Sequence, residues 1–208
     1  MPGIGACRGI RGPMRRVRVG GVPPAREAAG APTLLPIFAD HHLQRPESAA
    51  IALVEYGDYE CPQCGEVYLV IEALKKILGE RMRIIFRQYP YARLHPHAEL
   101  AAEAAEAAAA QGKFWEMHHV LFQHQDALTE NDLVRYAETV HLDVPRFCWE
   151  LTNRVYRERV REAFRSGVTN GVYSTPSIFI NGVRHDGPFD LETLCSAVTQ
   201  HSATDSVV

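Results

Sequence analysis

Apolar and polar stretches between residues 51 and 88 follow one another in the order of a strand, a helix and a second strand. Residues 51–56 form an apolar run with the length of a buried strand. Residues 62–78 carry apolar side chains at helical spacing; Pro62 suits a first helical turn, and Gly79 ends the pattern. Residues 82–88 are typical of a second strand. A strand–helix–strand unit this short predicts two parallel strands.

The middle of the chain predicts four helices. Residues 97–110 are nearly all Ala and Glu, both strong helix formers, and residues 114–123 form a second helical segment. Thr129 with Asp132 resembles a capping box for a third helix that ends near Val140. Pro145 suits the first turn of a long fourth helix, which we expect to end near Gly167.

Short strands return towards the carboxyl end. Residues 177–180 and 183–185 flank Asn181-Gly182, and an Asn-Gly pair between apolar runs is a strong hairpin signal. Residues 191–199 predict a last helix. The whole order, with strands on both sides of a helical middle, predicts an α/β fold.

The amino-terminal part differs in composition from the rest. Residues 1–38 are rich in Gly, Pro and Arg without any periodicity, so we expect disorder there and order from about residue 46. No apolar stretch typical of an export signal follows the basic residues. The segment is therefore interpreted as a flexible basic tail or a mis-assigned start, and a cytoplasmic location is expected unless the true start lies upstream.

Charge and hydropathy exclude two classes of protein. Residues 1–45 hold seven of the 22 basic and two of the 25 acidic residues, which leaves 15 basic and 23 acidic residues and a net charge of −8 for the remainder. A body this acidic is a poor binder of nucleic acid. No apolar run of about 18 residues is present, so no membrane span is expected.

The cysteines point to a local site. There are five, an odd and sparse number for a secreted disulfide framework: Cys7, Cys61, Cys64, Cys148 and Cys195. Cys148 and Cys195 fall among apolar helical residues and are expected to be buried and inert. Cys61 and Cys64 instead have the spacing of a catalytic or metal-binding pair.

The position of that pair favours redox chemistry. The two cysteines lie where a buried strand meets a helix amino terminus, whose unpaired backbone N–H groups and dipole favour a thiolate. Such settings lower a cysteine pKa from about 8.5 to roughly 3.5–7.5. We therefore expect Cys61 to be the nucleophile and Cys64, nearly one turn later and facing inward, to be the resolving thiol. Pro62 fits because its missing N–H costs nothing at the first helical position.

Four segments together resemble the DsbA-like branch of the thioredoxin superfamily. They are residues 54–64 (Val-Glu-Tyr-Gly-Asp-Tyr-Glu-Cys-Pro-Gln-Cys), 95–97 (His-Pro-His), 112–117 (Gly-Lys-Phe-Trp-Glu-Met) and 175–182 (Thr-Pro-Ser-Ile-Phe-Ile-Asn-Gly). The resemblance covers about residues 40–200 and rests on the order and spacing of all four segments.

The resemblance implies a thioredoxin-like fold with a central mixed sheet and an inserted all-helical domain. The expected division is a basic tail at 1–45, a first thioredoxin half at 46–92, the helical insertion at 93–168, a second thioredoxin half at 169–201 and a tail at 202–208.

The resemblance also implies roles for individual residues. A cis peptide bond is expected before Pro176, with Thr175 and Pro176 beside the nucleophilic cysteine and in contact with the substrate backbone. Glu55 matches a buried acid beneath the cysteines that accepts a proton from the resolving thiol; the alternative is a strand-edge carboxylate facing water. Gln63 stands where strong oxidants of the branch carry His, so it can donate a neutral hydrogen bond but brings no positive charge.

The expected activity is reversible thiol–disulfide exchange with protein or small thiols through mixed disulfides, together with a redox recycling partner. The cysteine pair is itself the redox centre, so no dissociable cofactor is expected. Two alternatives stay open: a zinc-binding protein that uses Cys61, Cys64 and a nearby His, or a thioredoxin-like scaffold without catalysis. His95 and His97 are expected to serve the start of a helix. His118 and His119, adjacent on one helix, are expected at the surface.

Overall fold

The computed structural model describes residues 42–44, 46 and 48–203, with side chains as far as residue 200. These residues form one five-stranded sheet in the order β1-β3-β2-β4-β5. The strands are β1 (His42–Gln44), β2 (Ile51–Gly57), β3 (Met82–Gln88), β4 (Ser177–Ile180) and β5 (Val183–Arg184). β2 and β3 are parallel and all other neighbours are antiparallel, so the sheet is mixed.

The predicted strand–helix–strand unit is present. Helix α1 (Pro62–Leu78) connects β2 to β3, with a short 3-10 turn at Gly79–Arg81 before β3. Gly79 adopts a positive φ of 58° at the end of α1, a conformation that glycine reaches without steric cost. Every residue of β2 is buried, because the strand lies between β3 and β4 and has helices over its faces. The start of α1 is therefore fixed to the centre of the sheet.

Five helices lie between β3 and β4 in the described chain. They are α2 (Ala98–Ala109), α3 (Phe114–Gln123), α4 (Glu130–Thr139), α5 (Val144–Thr152) and α6 (Arg157–Thr169). The Thr129–Asp132 capping box of α4 is present in both directions. Pro145 occupies the first turn of α5, as expected. Five alanines of α2 pack into the core of this helical part, where small side chains permit close approach of neighbouring helices.

The prediction of one long fourth helix was wrong, because α5 and α6 are separate. The chain turns at Arg154, which has a positive φ of 53°. Its guanidinium binds both oxygens of the buried Glu103 carboxylate on α2, with the shortest contact at 2.6 Å, and also reaches Glu99 at 3.2 Å. This ion pair satisfies a buried charge, and the positive φ of Arg154 is incompatible with a continuous α-helix through residue 154.

The predicted hairpin is confirmed. Asn181 and Gly182 have φ values of 46° and 83°, as a two-residue turn between twisted antiparallel strands requires. The Asn181 side chain also accepts a hydrogen bond from the backbone N–H of Ala52 at 2.7 Å, which fixes the turn to the central strand. Helix α7 (Leu191–Ala203) follows and packs Leu194 and Val198 against the same core as α1.

Strand β1 was missed, since order was expected only from about residue 46. β1 pairs with β3, with Leu43 opposite Ile85. The His42 ring stacks on Phe114 at 3.4 Å between ring centroids, and its Nε2 lies 2.7 Å from Glu106. Residues 1–41, which include most of the expected basic tail, and residues 204–208 lie outside the described chain. Among the described helices, none is long and apolar enough to cross a membrane.

Candidate active site

The cysteine pair lies at the amino terminus of α1. Cys61 is the residue that caps the helix and has an extended backbone, and Pro62 takes the first helical position. Both thiols are free. Cys61 keeps 7% of its surface exposed whereas Cys64 keeps none, so a reaction partner meets Cys61 first. Pro62 and Gln63 are exposed at the rim of the site.

The Cys61 thiol is strongly acidified. A hydrogen bond from the Cys64 side chain is the largest cause, and the Thr175 side chain and the backbone of Cys64 and Gln63 add further hydrogen bonds. These outweigh desolvation and lower the pKa of Cys61 from 9.0 to about 5. At neutral pH the reduced protein therefore presents a thiolate at Cys61. The contribution of Gln63 comes from its backbone, whereas the sequence suggested its side chain.

The Cys64 thiol is shifted in the opposite direction. Burial raises its pKa well above 9.0, and the hydrogen bond to Cys61 and the negative charges of Glu55 and Cys61 raise it further. Cys64 is thus a protonated thiol that needs a base before it can attack. The pKa values of the two cysteines are thus shifted in opposite directions, as expected from their positions on the helix.

Glu55 is a buried acid at the centre of the sheet. It lies opposite Phe86 in β3 and Ile178 in β4 and is 2% exposed, so it is not the water-facing residue of the alternative interpretation. Among the residues that the structure describes, its Oε1 finds no hydrogen-bond partner. Burial first, and the charge of Cys61 second, raise its pKa from 4.5 to about 8. Near neutral pH this carboxyl can therefore both give and take a proton.

A glycine makes room for that carboxyl. A Cβ on Gly57 would lie 3.1 Å from Oε1 of Glu55 and 2.4 Å from a ring carbon of Phe86. The second distance is shorter than real Cβ contacts, so a side chain at position 57 would displace the Phe86 ring. The sequence shows a glycine two positions after Glu55, but it does not reveal that the backbone of Gly57 approaches the Glu55 carboxyl.

The loop before β4 closes the other side of the site. The Thr175–Pro176 peptide bond is cis. The Cys61 thiol lies 3.6 Å from the carbonyl oxygen of Thr175, to which it donates as a thiol. Thr175 is thus in contact with Cys61, and Pro176 lies immediately before β4.

Several contacts around the site were not predicted, because the partners are distant from one another in sequence. The carboxylate of Asp58 is buried and accepts hydrogen bonds from the backbone N–H groups of Glu60 at 2.8 Å and Tyr91 at 2.7 Å. His95 Nδ1 lies 2.7 Å from the same carboxylate. His97 contacts Glu60 through its ring at 2.8 Å and its backbone at 2.7 Å. Both histidines thus hold the turn before Cys61 to the start of α2.

The helical part also reaches into this turn. The Gln125 amide nitrogen donates to the backbone carbonyls of Tyr59 at 2.9 Å and Cys61 at 2.8 Å. Its carbonyl oxygen lies 2.0 Å from where a Cβ on Gly65 would stand, so a side chain at position 65 would displace the Gln125 amide. No pattern in the sequence marks a lone glutamine as a partner of a turn more than 60 residues earlier.

Three expectations about other residues need correction. His118 is buried, with its Nδ1 3.1 Å from the hydroxyl of Tyr59, and burial lowers its pKa well below 6.5. Neighbouring helix positions point about 100° apart, so one of two adjacent histidines can face the core. Cys148 and Cys195, expected to be buried, are partly exposed.

The residues that the structure describes contain no ligand set that would support the zinc hypothesis. Within residues 42–44, 46 and 48–203, no three His, Cys, Asp or Glu side chains are grouped so that they could hold a metal ion. The nearby histidines are directed at Asp58 and Glu60 instead of at the thiols.

An open groove of about 470 Å³ adjoins the cysteine helix. It runs between the first turns of α1 and the loop before α7, with apolar walls from Val67, Val70 and Phe189. Glu66 and Asp190 add carboxylates to its lining. Gln63, two residues after Cys61, is also part of its lining.

Comparison with protein families matches residues 41–200 to a family described as thioredoxin. Curated relatives include the Na(+)/H(+) antiporter NhaA 3 of Salinispora tropica, 42% identical over 168 residues, which make up 79% of this chain and 25% of the antiporter. The antiporter NhaA of Herminiimonas arsenicoxydans is 37% identical over 76% of this chain and 25% of its own length. The chain thus spans about a quarter of these relatives.

Solved structures share the fold. Oxidised BdbD from Bacillus subtilis superposes with a TM-score of 0.70 at 20% identity, over 77% of this chain and 92% of BdbD. The α-DsbA1 protein of Wolbachia pipientis gives 0.71 at 20% identity, over 84% of this chain and 96% of α-DsbA1. The family match covers the mixed sheet and the helices between β3 and β4, and the chain therefore belongs to the thioredoxin family, with the DsbA-like form of its fold.

Proposed function

We propose that this protein is a thiol–disulfide oxidoreductase that exchanges disulfides with protein thiols through Cys61 and Cys64. The observation that carries the proposal is the opposed acidity of the two thiols. The pKa of the more exposed Cys61 falls to about 5, while that of the buried Cys64 rises. A thiolate is the attacking and the leaving form in exchange, so this pair separates an entry sulfur from a resolving sulfur.

In the oxidising direction a substrate thiolate attacks Sγ of Cys61 in the Cys61–Cys64 disulfide. The S–S bond breaks, its electron pair leaves on Cys64, and Cys64 takes a proton. A second substrate thiolate then attacks the substrate sulfur of the mixed disulfide and releases Cys61 as a thiolate. The substrate loses two electrons as its disulfide forms, and the protein gains them.

Glu55 is the proposed proton donor and acceptor for Cys64. With a pKa of about 8, its carboxyl is protonated in most molecules at pH 7 and can neutralise the Cys64 thiolate as that sulfur leaves. In the reducing direction the ionised carboxylate takes the proton back, and Cys64 then attacks Cys61 in the mixed disulfide. The negative charge of Glu55 acts on Cys64 across the buried space between them.

Thr175 and Pro176 are the proposed contacts for the substrate backbone. Thr175 lies against the Cys61 sulfur, so a peptide whose cysteine reaches that sulfur passes this loop. Pro176 has no N–H and leaves the backbone of Thr175 as the polar partner at this position. The groove that Gln63 helps to line offers room for the flanking residues of the same peptide.

A trapping experiment tests the proposal. A Cys64→Ser variant keeps the nucleophile but cannot resolve the mixed disulfide, so it should accumulate covalent conjugates that disappear on reduction. Cys148→Ser, in α5, is the matched control and should trap nothing. A Cys64→Ser protein that forms no conjugates while Cys61 remains reactive would leave only the scaffold function.

The direction of exchange follows from thiolate stability. A thiolate exists only in the reduced form, so the acidic Cys61 favours reduction of the protein and makes it an oxidant of its substrates. Gln63 adds no full charge, and we expect a reduction potential of roughly −150 to −240 mV.

A cytoplasmic location is a separate prediction, which fractionation of native cells would test.

The antiporter relatives favour a narrower version in which the exchange serves a membrane transport protein. They contain a segment 42% or 37% identical to this chain within much longer sequences. The Cys64→Ser conjugates should then include a sodium/proton antiporter in the membrane fraction. Conjugates confined to other fractions would reject this narrower version and leave the exchange activity in place.

A further inference from the structure

The turn before the cysteines contains a buried negative charge. Asp58 is 1% exposed, and its side chain accepts two backbone N–H groups and contacts His95. Its backbone carbonyl accepts the N–H of Cys61 at 3.2 Å, so this residue is bonded directly to the nucleophile's backbone. An isolated carboxylate in such a place opposes a second negative charge on Cys61.

His95 is placed to cancel that charge. Its Nδ1 lies 2.7 Å from Oδ2 of Asp58, and its side chain is 18% exposed, so it can exchange protons with solvent. The backbone N–H of His95 donates to the Tyr91 carbonyl at 3.0 Å, and Tyr91 itself donates to Asp58. The imidazole is thus fixed to Asp58 through two routes.

We propose that His95 is a positioning residue whose imidazolium neutralises Asp58 and thereby maintains the Cys61 thiolate, so that the redox state of the cysteine pair and the protonation of His95 are coupled. This inference rests on the proposed function, because it concerns the positive charge that stabilises the Cys61 thiolate of that site. Gln63 does not carry such a charge. Charge from outside the Cys-Pro-Gln-Cys segment would then set how the site responds to pH.

The groups that face His95 support the coupling. Burial lowers its pKa, but the hydrogen bond and charge of Asp58 and the charges of Cys61 and Glu60 raise it, and the net pKa lies above 6.5. Formation of the disulfide removes the Cys61 charge from this set. The His95 pKa must then be lower in the oxidised protein, and, by linkage, a protonated His95 favours the thiolate by the same free energy.

This coupling determines how many protons the protein takes up when the disulfide is reduced. Reduction of the disulfide by two electrons leaves a thiolate on Cys61 and takes one proton to Cys64. Between the two pKa values of His95, reduction takes up an additional fraction of a proton on the imidazole. The reduction potential of the pair is therefore more dependent on pH in this interval than the cysteines alone require.

Nuclear magnetic resonance titration of the full chain tests the coupling directly. The His95 ring signal, assigned by its loss in His95→Gln, should titrate at a lower pH in the oxidised than in the reduced protein. His97 is the matched control, because it contacts Glu60 and not Asp58. An equal His95 titration in both redox states would overturn the proposal.

Thiolate absorbance supplies a second measurement. His95→Gln keeps a donor for Asp58 but no charge, so at a pH below the Cys61 pKa its thiolate fraction should be about threefold to tenfold smaller than in the wild type. His97→Gln should lower the fraction by less than His95→Gln does, because His97 contacts Glu60 and not Asp58. An unchanged fraction in His95→Gln, or an equal loss in both variants, would overturn the role of His95. Because neither measurement uses a substrate, failure here is distinct from a failure of Cys64→Ser to trap conjugates.

Discussion

Replacement of the buried Glu55 by Gln should remove a large pH dependence of stability. The folded protein holds the Glu55 proton up to a pKa of about 8, whereas an exposed glutamate in the unfolded chain releases it near 4.5. Between these values unfolding releases a proton, so rising pH favours the unfolded chain. The stabilising effect of the protonated carboxyl is fully present below pH 4.5 and is lost as pH rises to about 8.

The size of the effect follows from the two pKa values. The interval between 4.5 and about 8 corresponds to roughly 5 kcal/mol at about 1.4 kcal/mol per pKa unit. Between pH 5 and pH 9 the Glu55 contribution to the free energy of unfolding should fall by about 4 kcal/mol. Gln has a similar shape and no titration, so its cost in the same place is independent of pH in this range.

Urea unfolding of the reduced wild type and of Glu55→Gln at pH 5, 7 and 9 measures the difference. From pH 5 to pH 9 the free energy of unfolding of the variant should rise by about 4 kcal/mol relative to that of the wild type. Glu66→Gln, an exposed glutamate on α1, is the control and should change by less than about 0.5 kcal/mol. A Glu55→Gln difference that stays constant with pH would show that the buried carboxyl titrates normally, and its proposed role towards Cys64 would be lost.

Changes at three other positions have expected outcomes of different kinds. Gln63→His should raise the reduction potential by roughly 15–50 mV, because an exposed imidazolium near Cys61 stabilises the thiolate of the reduced form; equilibration with glutathione buffers at pH 7 measures it, and an unchanged potential would refute the idea. Gln125→Ala should lower the free energy of unfolding by about 1–3 kcal/mol, since two backbone carbonyls of the active-site turn lose their donor; urea titration would contradict this if the midpoint did not move. Arg154→Ala should lower it by about 2–4 kcal/mol, because Glu103 is left as an unpaired buried charge; loss of the same amount in a Glu103→Gln, Arg154→Ala double variant would argue against that cause.

The parts of the fold that short-range patterns encode were predictable. The buried run of β2, the proline at the first position of α1 and the Asn181-Gly182 turn each fix their own local geometry. The cysteine pair was equally visible, because its chemistry depends on two residues three positions apart at a helix terminus. These features need no knowledge of the remaining chain.

The parts that depend on distant partners were not predictable. Strand β1 has only three residues, and its position is fixed by contacts of His42 with Phe114 and Glu106 far along the chain. The end of α5 depends on an arginine that turns to reach Glu103, although residues around it have ordinary helix propensity. A pattern along one segment contains no information about which buried carboxylate will face it.

The active-site surroundings follow the same rule. Asp58 and His95 are 37 residues apart, and only the packing of α2 against the turn brings them to 2.7 Å. The sequence contains the histidine and the acid, but each alone is compatible with a surface position. The pairs of residues that are distant in sequence could therefore not be predicted for this site, and the structure was needed to identify them.

The outer strands of the described sheet, β1 and β5, have a consequence for aggregation. An outer strand presents unpaired backbone groups, and a long one recruits extended segments of other chains into intermolecular sheets. The proposed function brings this protein into contact with polypeptides that carry cysteine thiols. Within the residues that the structure describes, its outer strands span three and two residues, and Trp115 already donates to the backbone carbonyl of Leu43 at 3.3 Å. Under the proposed function, such short edges offer little template for an intermolecular sheet while a substrate is bound at Cys61.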